Sequence, residues 1–242
     1  MYDAGDTEDG EFRKRSAWIF PLGIVSVVFL LSVAVMLFYF SPTTPDLFHE
    51  QVSPTSDGER VNLSVDGQKF SIPANYLRYE STRKGGAARE ISMHAKLPGL
   101  QGWSNWQADA FADASAESTI IFLTLHTDRN KLNEADRLRR VYGDYVDTTA
   151  HPAPYGLIRF DYRPNAGYGD EDFFVGNTDN GPIVLRCARQ SLDAPSPNCL
   201  REQYLTGGVS LSWRFKRTQL PHWRQIEKNV AELMATFRTP PK

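Results

Sequence analysis

The sequence is poor in the signatures that announce chemistry. No G-x-S-x-G surrounds a serine, so the nucleophile elbow of an α/β-hydrolase is excluded. The five histidines, His49, His94, His126, His151 and His222, are scattered, with no H-x-x-x-H pair to hold zinc. Gly85-Gly86 follows Arg83-Lys84 but lacks the spacing and the Lys-Ser/Thr of a phosphate-binding loop. No cofactor motif is present, and none is expected to bind. Basic excess is missing too. Three of the 27 Lys and Arg and five of the 29 Asp and Glu lie in the first 15 positions, leaving 24 of each beyond them. A nucleic-acid footprint would need a clear positive balance. Only two cysteines occur, which excludes a cysteine-rich metal or disulfide scaffold.

One absence is local. From Ala17 to Phe40 there is no charged residue: AWIFPLGIVSVVFLLSVAVMLFYF. A helix needs roughly 20 apolar residues to cross a bilayer, and this run would extend about 36 Å. Trp18 opens it and Tyr39 closes it beside Phe38 and Phe40, aromatics suited to the headgroup region. A cleaved signal peptide fits poorly, because the run is long and ends without a small-residue cleavage site. Arg13, Lys14 and Arg15 precede the run, and no Lys or Arg follows until Arg60. Positive charge marks the cytoplasmic side. The expectation is a single-pass inner-membrane protein of a bacterium: cytoplasmic tail 1–15, transmembrane helix 16–40, Pro-rich linker 41–60, and an extracytoplasmic domain over 61–242, periplasmic in a Gram-negative cell.

Cys187 and Cys199 bracket RCARQSLDAPSPNC, which reads as a stapled loop. In an oxidising compartment a disulfide between them is expected. The spacing is not that of a metal pair, which would want C-x-x-C and further ligands.

Beyond Arg60 the patterns are those of one packed domain. Val61–Val65 and Lys69–Ile72 alternate about Asp66-Gly67, a strong hairpin signal. Further strands are expected at Ile91–Leu97, Thr119–Thr127, Gly156–Tyr162, Phe173–Gly176, Pro182–Cys187 and Val209–Phe215. A helix is expected over 132–142, with Gly143 as its C-cap. A second begins near Pro221, with Leu220, Trp223, Ile226, Val230, Leu233, Met234 and Phe237 on one stripe. The fold class is therefore α+β: a mostly antiparallel sheet packed by a C-terminal helix.

The densest cluster of reactive groups is Asp170-Glu171-Asp172, in GYGDEDFF. It does not match a calcium loop, since Gly176 and Gly181 fall at the wrong positions. Only Asp170 and Asp172 share a face of an extended chain, so they are the weak metal candidates. His94 and His126 lie on expected strands and could meet in space. An enzyme of envelope metabolism would use this acidic cluster or His94. The alternative lies in SIPANYLRYE and LPGLQGWSNW, where Tyr76, Tyr79, Trp103 and Trp106 stand among turn formers. Aromatics of this kind are enriched at protein interfaces, and they are the candidate binding residues for another envelope protein. No residue is assigned as catalytic.

The order of anchor, Pro-rich linker and strand pair, then FSIPANYL and MHAKLPGLQGW, resembles uncharacterised membrane-anchored envelope proteins of proteobacteria. That resemblance implies an envelope location and transfers no catalytic residue. Some small anchored envelope proteins of this build resemble immunity proteins that guard against delivered toxins.

Overall fold

The computed structural model describes residues 19–40, 50–205 and 207–238. The tail at 1–15 and the first nine residues of the linker, 41–49, lie outside these residues. The chain divides into two units, Met1–Gln51 and Val52–Lys242.

In the first unit, α1 spans Ile19–Phe40. Its apolar side chains over 21–37, from Leu22 to Leu37, all stand exposed. Side-chain placement is described only over that stretch. Among the described residues no helix is long and apolar enough to cross a membrane, so the crossing itself stays a proposal.

The second unit begins earlier than the composition suggests. Ser53 N–H donates to the Arg78 carbonyl at 3.0 Å, and Ala74 N–H donates to the Glu59 carbonyl at 2.8 Å. Residues 53–59, expected within the linker, are thus tied to the domain. Strands β1 (Arg60–Val65) and β2 (Gln68–Pro73) form the expected hairpin. Asp66 and Gly67 both take positive φ, 46° and 80°, as a type I′ turn requires. The short β3 (Gly86–Ala87) adds parallel to β1 after the helical turn α2 (Glu80–Arg83).

The main sheet has eight strands, all antiparallel: β4 (Glu90–Lys96), β5 (Ile120–Thr127), β6 (Val146–Ala153), β7 (Leu157–Tyr162), β8 (Glu171–Thr178), β9 (Gly181–Ala188), β10 (Asn198–Tyr204) and β11 (Val209–Lys216). Their order across the sheet is β4-β5-β11-β10-β9-β8-β7-β6. Two strands, β6 and β10, were not expected from the sequence. The short α3 (Ala108–Ala112) lies between β4 and β5, and α4 (Glu134–Arg137) between β5 and β6.

Helix α5 (Trp223–Phe237) buries Trp223, Ile226, Val230, Met234 and Phe237, five of the seven residues on its expected stripe. Leu220 is buried in the preceding 3-10 turn, and Leu233 is partly buried. Each such burial contributes roughly 1.5–3 kcal/mol. Gly176 on β8 makes room for this packing, since a Cβ there would come within 2.6 Å of the Trp223 ring. A second, smaller core joins Val146, Phe173, Val175 and Val184 with Leu138 and Tyr142. β8 is therefore covered on both faces, which explains its unbroken Phe173-Phe174-Val175 run.

The helix expected over 132–142 is only partly regular. α4 lasts one turn and passes into a π-helical turn, Leu138–Tyr142. Gly143 follows with φ −56°, so it ends the helix without the left-handed conformation that its glycine suggested.

Candidate functional site: an aromatic face and a split in the sheet

The turn after β4 is rigidly built. Lys96 and Gln101 exchange backbone hydrogen bonds at 2.8 and 3.2 Å, and the buried Leu100 takes φ 51° to close the turn. This turn is zipped to the 3-10 turn Ala74–Tyr76. Trp103 N–H donates to the Asn75 carbonyl at 2.8 Å, and the Tyr76 hydroxyl donates to the Leu100 carbonyl at 2.9 Å. A Cβ at Gly102 would fall 2.7 Å from the Asn75 amide nitrogen, so a larger residue there must displace the Asn75 side chain.

The four candidate aromatics thus separate by role. Tyr76 is a rivet: half-buried, edge-on to Phe237 at 5.1 Å, its hydroxyl pKa raised by burial against a backbone hydrogen bond. Tyr79 and Trp103 are half-buried. Trp106, in the 3-10 turn Asn105–Gln107, is 97% exposed.

Two carboxylates of the acidic cluster, Glu171 and Asp172, are committed to structure. Both oxygens of Asp172 are used, one accepting from Arg189 Nε at 2.8 Å and the other from Arg217. Burial pushes the Asp172 carboxyl up, but these two arginines outweigh it and hold it below the usual range. Glu171 accepts from Arg186 Nε at 2.8 Å. Asp170 is exposed, and its backbone carbonyl accepts from Arg189 N–H. Of the two weak metal candidates, Asp170 is an exposed loop residue and Asp172 an arginine-clamped carboxylate.

Nor do the histidines meet. His94 sits opposite Phe122 on β5, whereas His126 sits opposite Glu90. Between β4, which carries His94, and β8, which carries Asp172, lie four strands, a path of about 24 Å along the sheet. His94 and the acidic cluster therefore do not converge.

His94 has its own surroundings. It is 4% exposed, its ring lies edge-on to Phe111 at 4.7 Å, and its Nε2 has no hydrogen-bond partner. Burial, aided by the nearby Arg78 charge, lowers its pKa to about 4. His126 belongs to a network. Its Nε2 lies 3.7 Å from Glu202, which also pairs with Arg137 at 2.8 Å. Arg137 in turn binds Asp128 at 2.9 Å. The hydrogen bond to Glu202, set against burial, raises the His126 pKa.

A further feature follows from β10. Strands β9 and β10 register at only two pairs, Cys199↔Cys187 and Leu200↔Arg186. Beyond these the ladder opens. Val184 N–H donates to Glu134 Oε1 at 3.1 Å, Arg201 Nη1 donates to Glu134 Oε2 at 2.9 Å, and the same Nη1 reaches the Glu202 carbonyl. A buried ion pair thus replaces the missing rung between Val184 and Glu202. Arg201 is 2% exposed and is also held by Glu227 of α5 at 3.4 Å. The split opens into a cleft of about 550 Å³, whose lining includes Glu134, Arg201, Tyr204, Arg224, Glu227 and Lys228. Little in the sequence points to it, because a charged Arg inside a strand reads as solvated until its partners are known.

No protein-family model matches the chain, and no curated protein matches it. Among solved structures, the chain is similar to Smlt3025, an immunity protein of the Stenotrophomonas maltophilia type IV secretion system, with TM-score 0.50 and 16% identity over 79% of this chain and 100% of that one. It is also similar to the Neisseria meningitidis iron-regulated outer membrane lipoprotein FrpD, with TM-score 0.49 and 14% identity over 78% of this chain and 97% of that one. At 16% identity the likeness to Smlt3025 shows the fold alone.

Proposed function

We propose that this is a non-enzymatic, single-pass protein of the bacterial inner membrane, whose outer domain binds another envelope protein in the manner of an immunity protein. Helix α1 is the anchor, with the Arg13-Lys14-Arg15 end in the cytoplasm. The domain from Val52 onward stands in the periplasm, where a disulfide between Cys187 and Cys199 is at home. The observation that carries the binding role is Trp106, almost fully exposed on a turn that hydrogen bonds hold rigid. A large apolar ring on a turn whose backbone is already ordered buries its full area on docking at little backbone cost, which is how an aromatic becomes an interface anchor. Tyr79 and Trp103 extend the face, and Tyr76 braces it. The fold shared with Smlt3025 is consistent with the immunity-like form of this reading.

The test is photocrosslinking in living cells with p-benzoylphenylalanine at position 106. The expected result is one discrete adduct to an envelope protein, identified by mass spectrometry, and lost when Trp103→Ala is added. A control at Tyr145, exposed on another part of the domain, should give no such adduct. Identical adduct patterns at both positions would count against the face.

A further inference from the structure

Trp106 has a counterpart on a neighbouring loop. Among the described residues from Val52 onward, Trp106 is 97% and Leu192 101% exposed, whereas the other exposed large hydrophobics, Val52, Tyr145 and Tyr155, reach at most 50%. One exposed leucine by itself is ordinary. The strand register, however, brings both residues to the same end of the main sheet. β4 ends and β5 begins at Lys96↔Ile120, so segment 97–119, which carries Trp106, emerges there. β11 lies beside β5, and it ends where β10 begins, at Lys216↔Asn198. β9 ends next to them at Cys187↔Cys199, so segment 189–197, which carries Leu192, emerges at that end too. A hydrogen bond joins the two loops: Ser196 Oγ donates to the Ala114 carbonyl, two residues past α3, at 3.2 Å.

Segment 189–197 is held along its length. The disulfide closes its base. Arg189 N–H donates to the Asp170 carbonyl at 2.7 Å, and the Pro197 carbonyl accepts from Arg217 N–H at 2.9 Å. At the tip, Ser191 N–H donates to the Ala194 carbonyl at 3.3 Å, and Ala194 N–H donates to Ser191 Oγ at 3.1 Å. These two bonds make a tight turn around Leu192-Asp193. The backbone is thus ordered around a leucine left wholly in water, and docking would bury that side chain at little further backbone cost. Charge then indicates the kind of surface that fits. Segment 97–119 carries Asp109, Asp113 and Glu117 and no Lys or Arg, and Asp193 follows Leu192. All four carboxylate residues are exposed. Basic residues at the adjoining strand ends are engaged: Lys216 Nζ donates to Ser196 Oγ at 2.7 Å, and Arg189 and Arg217 clamp Asp172.

We propose that Leu192 is a second anchor of the Trp106 face, and that this face docks on a basic protein surface whose Lys and Arg side chains surround apolar sockets for the two residues. The inference rests on the binding role argued above and names the chemistry of its partner. Apolar burial at the two anchors supplies the affinity, and the acidic surround steers the encounter and selects against neutral or acidic surfaces. A bilayer would also accept an exposed Trp and Leu, and pairing with a second copy of the chain would bury them as well. The four carboxylates disfavour both, because anionic lipid and an identical acidic face would repel them.

The experiment places p-benzoylphenylalanine at position 192 of the full chain in living cells. The expected product, identified by mass spectrometry, is an adduct to the same protein that is captured at position 106. An adduct to phospholipid, to a second copy of the chain or to a different protein overturns the second anchor. So does the absence of any adduct at 192 while position 106 captures a protein. The captured protein is then purified, and its binding to the full chain in phosphatidylcholine nanodiscs is measured. Leu192→Ser, at a side chain wholly in water, should weaken binding at least about fivefold. The charge claim is read from Asp109→Asn/Asp113→Asn/Glu117→Gln/Asp193→Asn, which keeps the Asp113 side-chain oxygen that accepts from Ser115 N–H at 2.8 Å. Between about 50 and about 500 mM sodium chloride, the association rate of the wild type should fall at least about tenfold, and that of the amide variant less than about threefold. Equal salt dependence of the two overturns the basic partner. Binding that falls with Trp103→Ala/Trp106→Ala but not with Leu192→Ser overturns this inference alone. No discrete adduct at either position overturns the binding role on which it rests.

Discussion

His94 and His126 sit on one sheet face and titrate in opposite directions. Unfolded, His94 would protonate near 6.5, but folded it does so only at about 4. Between those values the unfolded chain binds more protons, so stability is lost as pH falls through this window, by up to about 1.4 kcal/mol per pH unit. His126, raised chiefly by its hydrogen bond to Glu202, contributes stability that is full below 6.5 and is lost as pH rises through its folded value. Urea unfolding from pH 6.5 to 4 should therefore show a shallower fall in midpoint for His94→Gln than for the wild type. Equal slopes would contradict the buried, neutral state of His94. Of these details the sequence showed only residue types. It marked Trp103 and Trp106 as surface aromatics among turn formers, and Trp106 is exposed. It could not show that Asp172 is spent on Arg189 and Arg217, because both arginines come from distant positions.

Elements with clean periodicity were legible. The β1–β2 hairpin, the alternating β11 and the stripe of α5 each carry a pattern that one packed face imposes. β6 was missed because it is an exposed edge strand, VDTTAHPA, containing Pro152 and a register shift between Val146 and Ala150. β10 was missed because it begins inside the disulfide loop and hides Arg201 in an ion pair. Its weak joint with β9 gives the disulfide a defined task. Cys187 and Cys199 are direct cross-strand neighbours, bonded at one of the only two registered positions. Closing a loop of this size stabilises by very roughly 3 kcal/mol, out of a domain total of about 5–15. Cys187→Ser and Cys199→Ser should lower the melting temperature equally, and the double variant should be no worse than either single one. Additive losses would show that each sulfur acts through something other than their shared bond.

At the scale of the whole molecule the account separates an anchor from a binding domain. The topology is tested by paired reporters fused after Lys242. One active only outside the cytoplasm should work, and a cytoplasmic one should not; the reverse result would invert the orientation. α1 was legible as a helix because nothing interrupts its apolar run, and the domain core because roughly 180 residues can bury one. The β9–β10 cleft was not legible, since its walls come from elements far apart in sequence: α4, the β8–β9 hairpin, β10 and α5. The claim on which the function rests is that the outer domain binds a protein through Trp106 and its neighbours. Its most direct measurement is the affinity of the purified full chain for the protein crosslinked at position 106, compared with Trp103→Ala/Trp106→Ala. A loss of at least about tenfold is expected, in a variant that stays folded because Trp106 is exposed and Trp103 lies outside the buried core. An unchanged affinity in that folded double variant would contradict it.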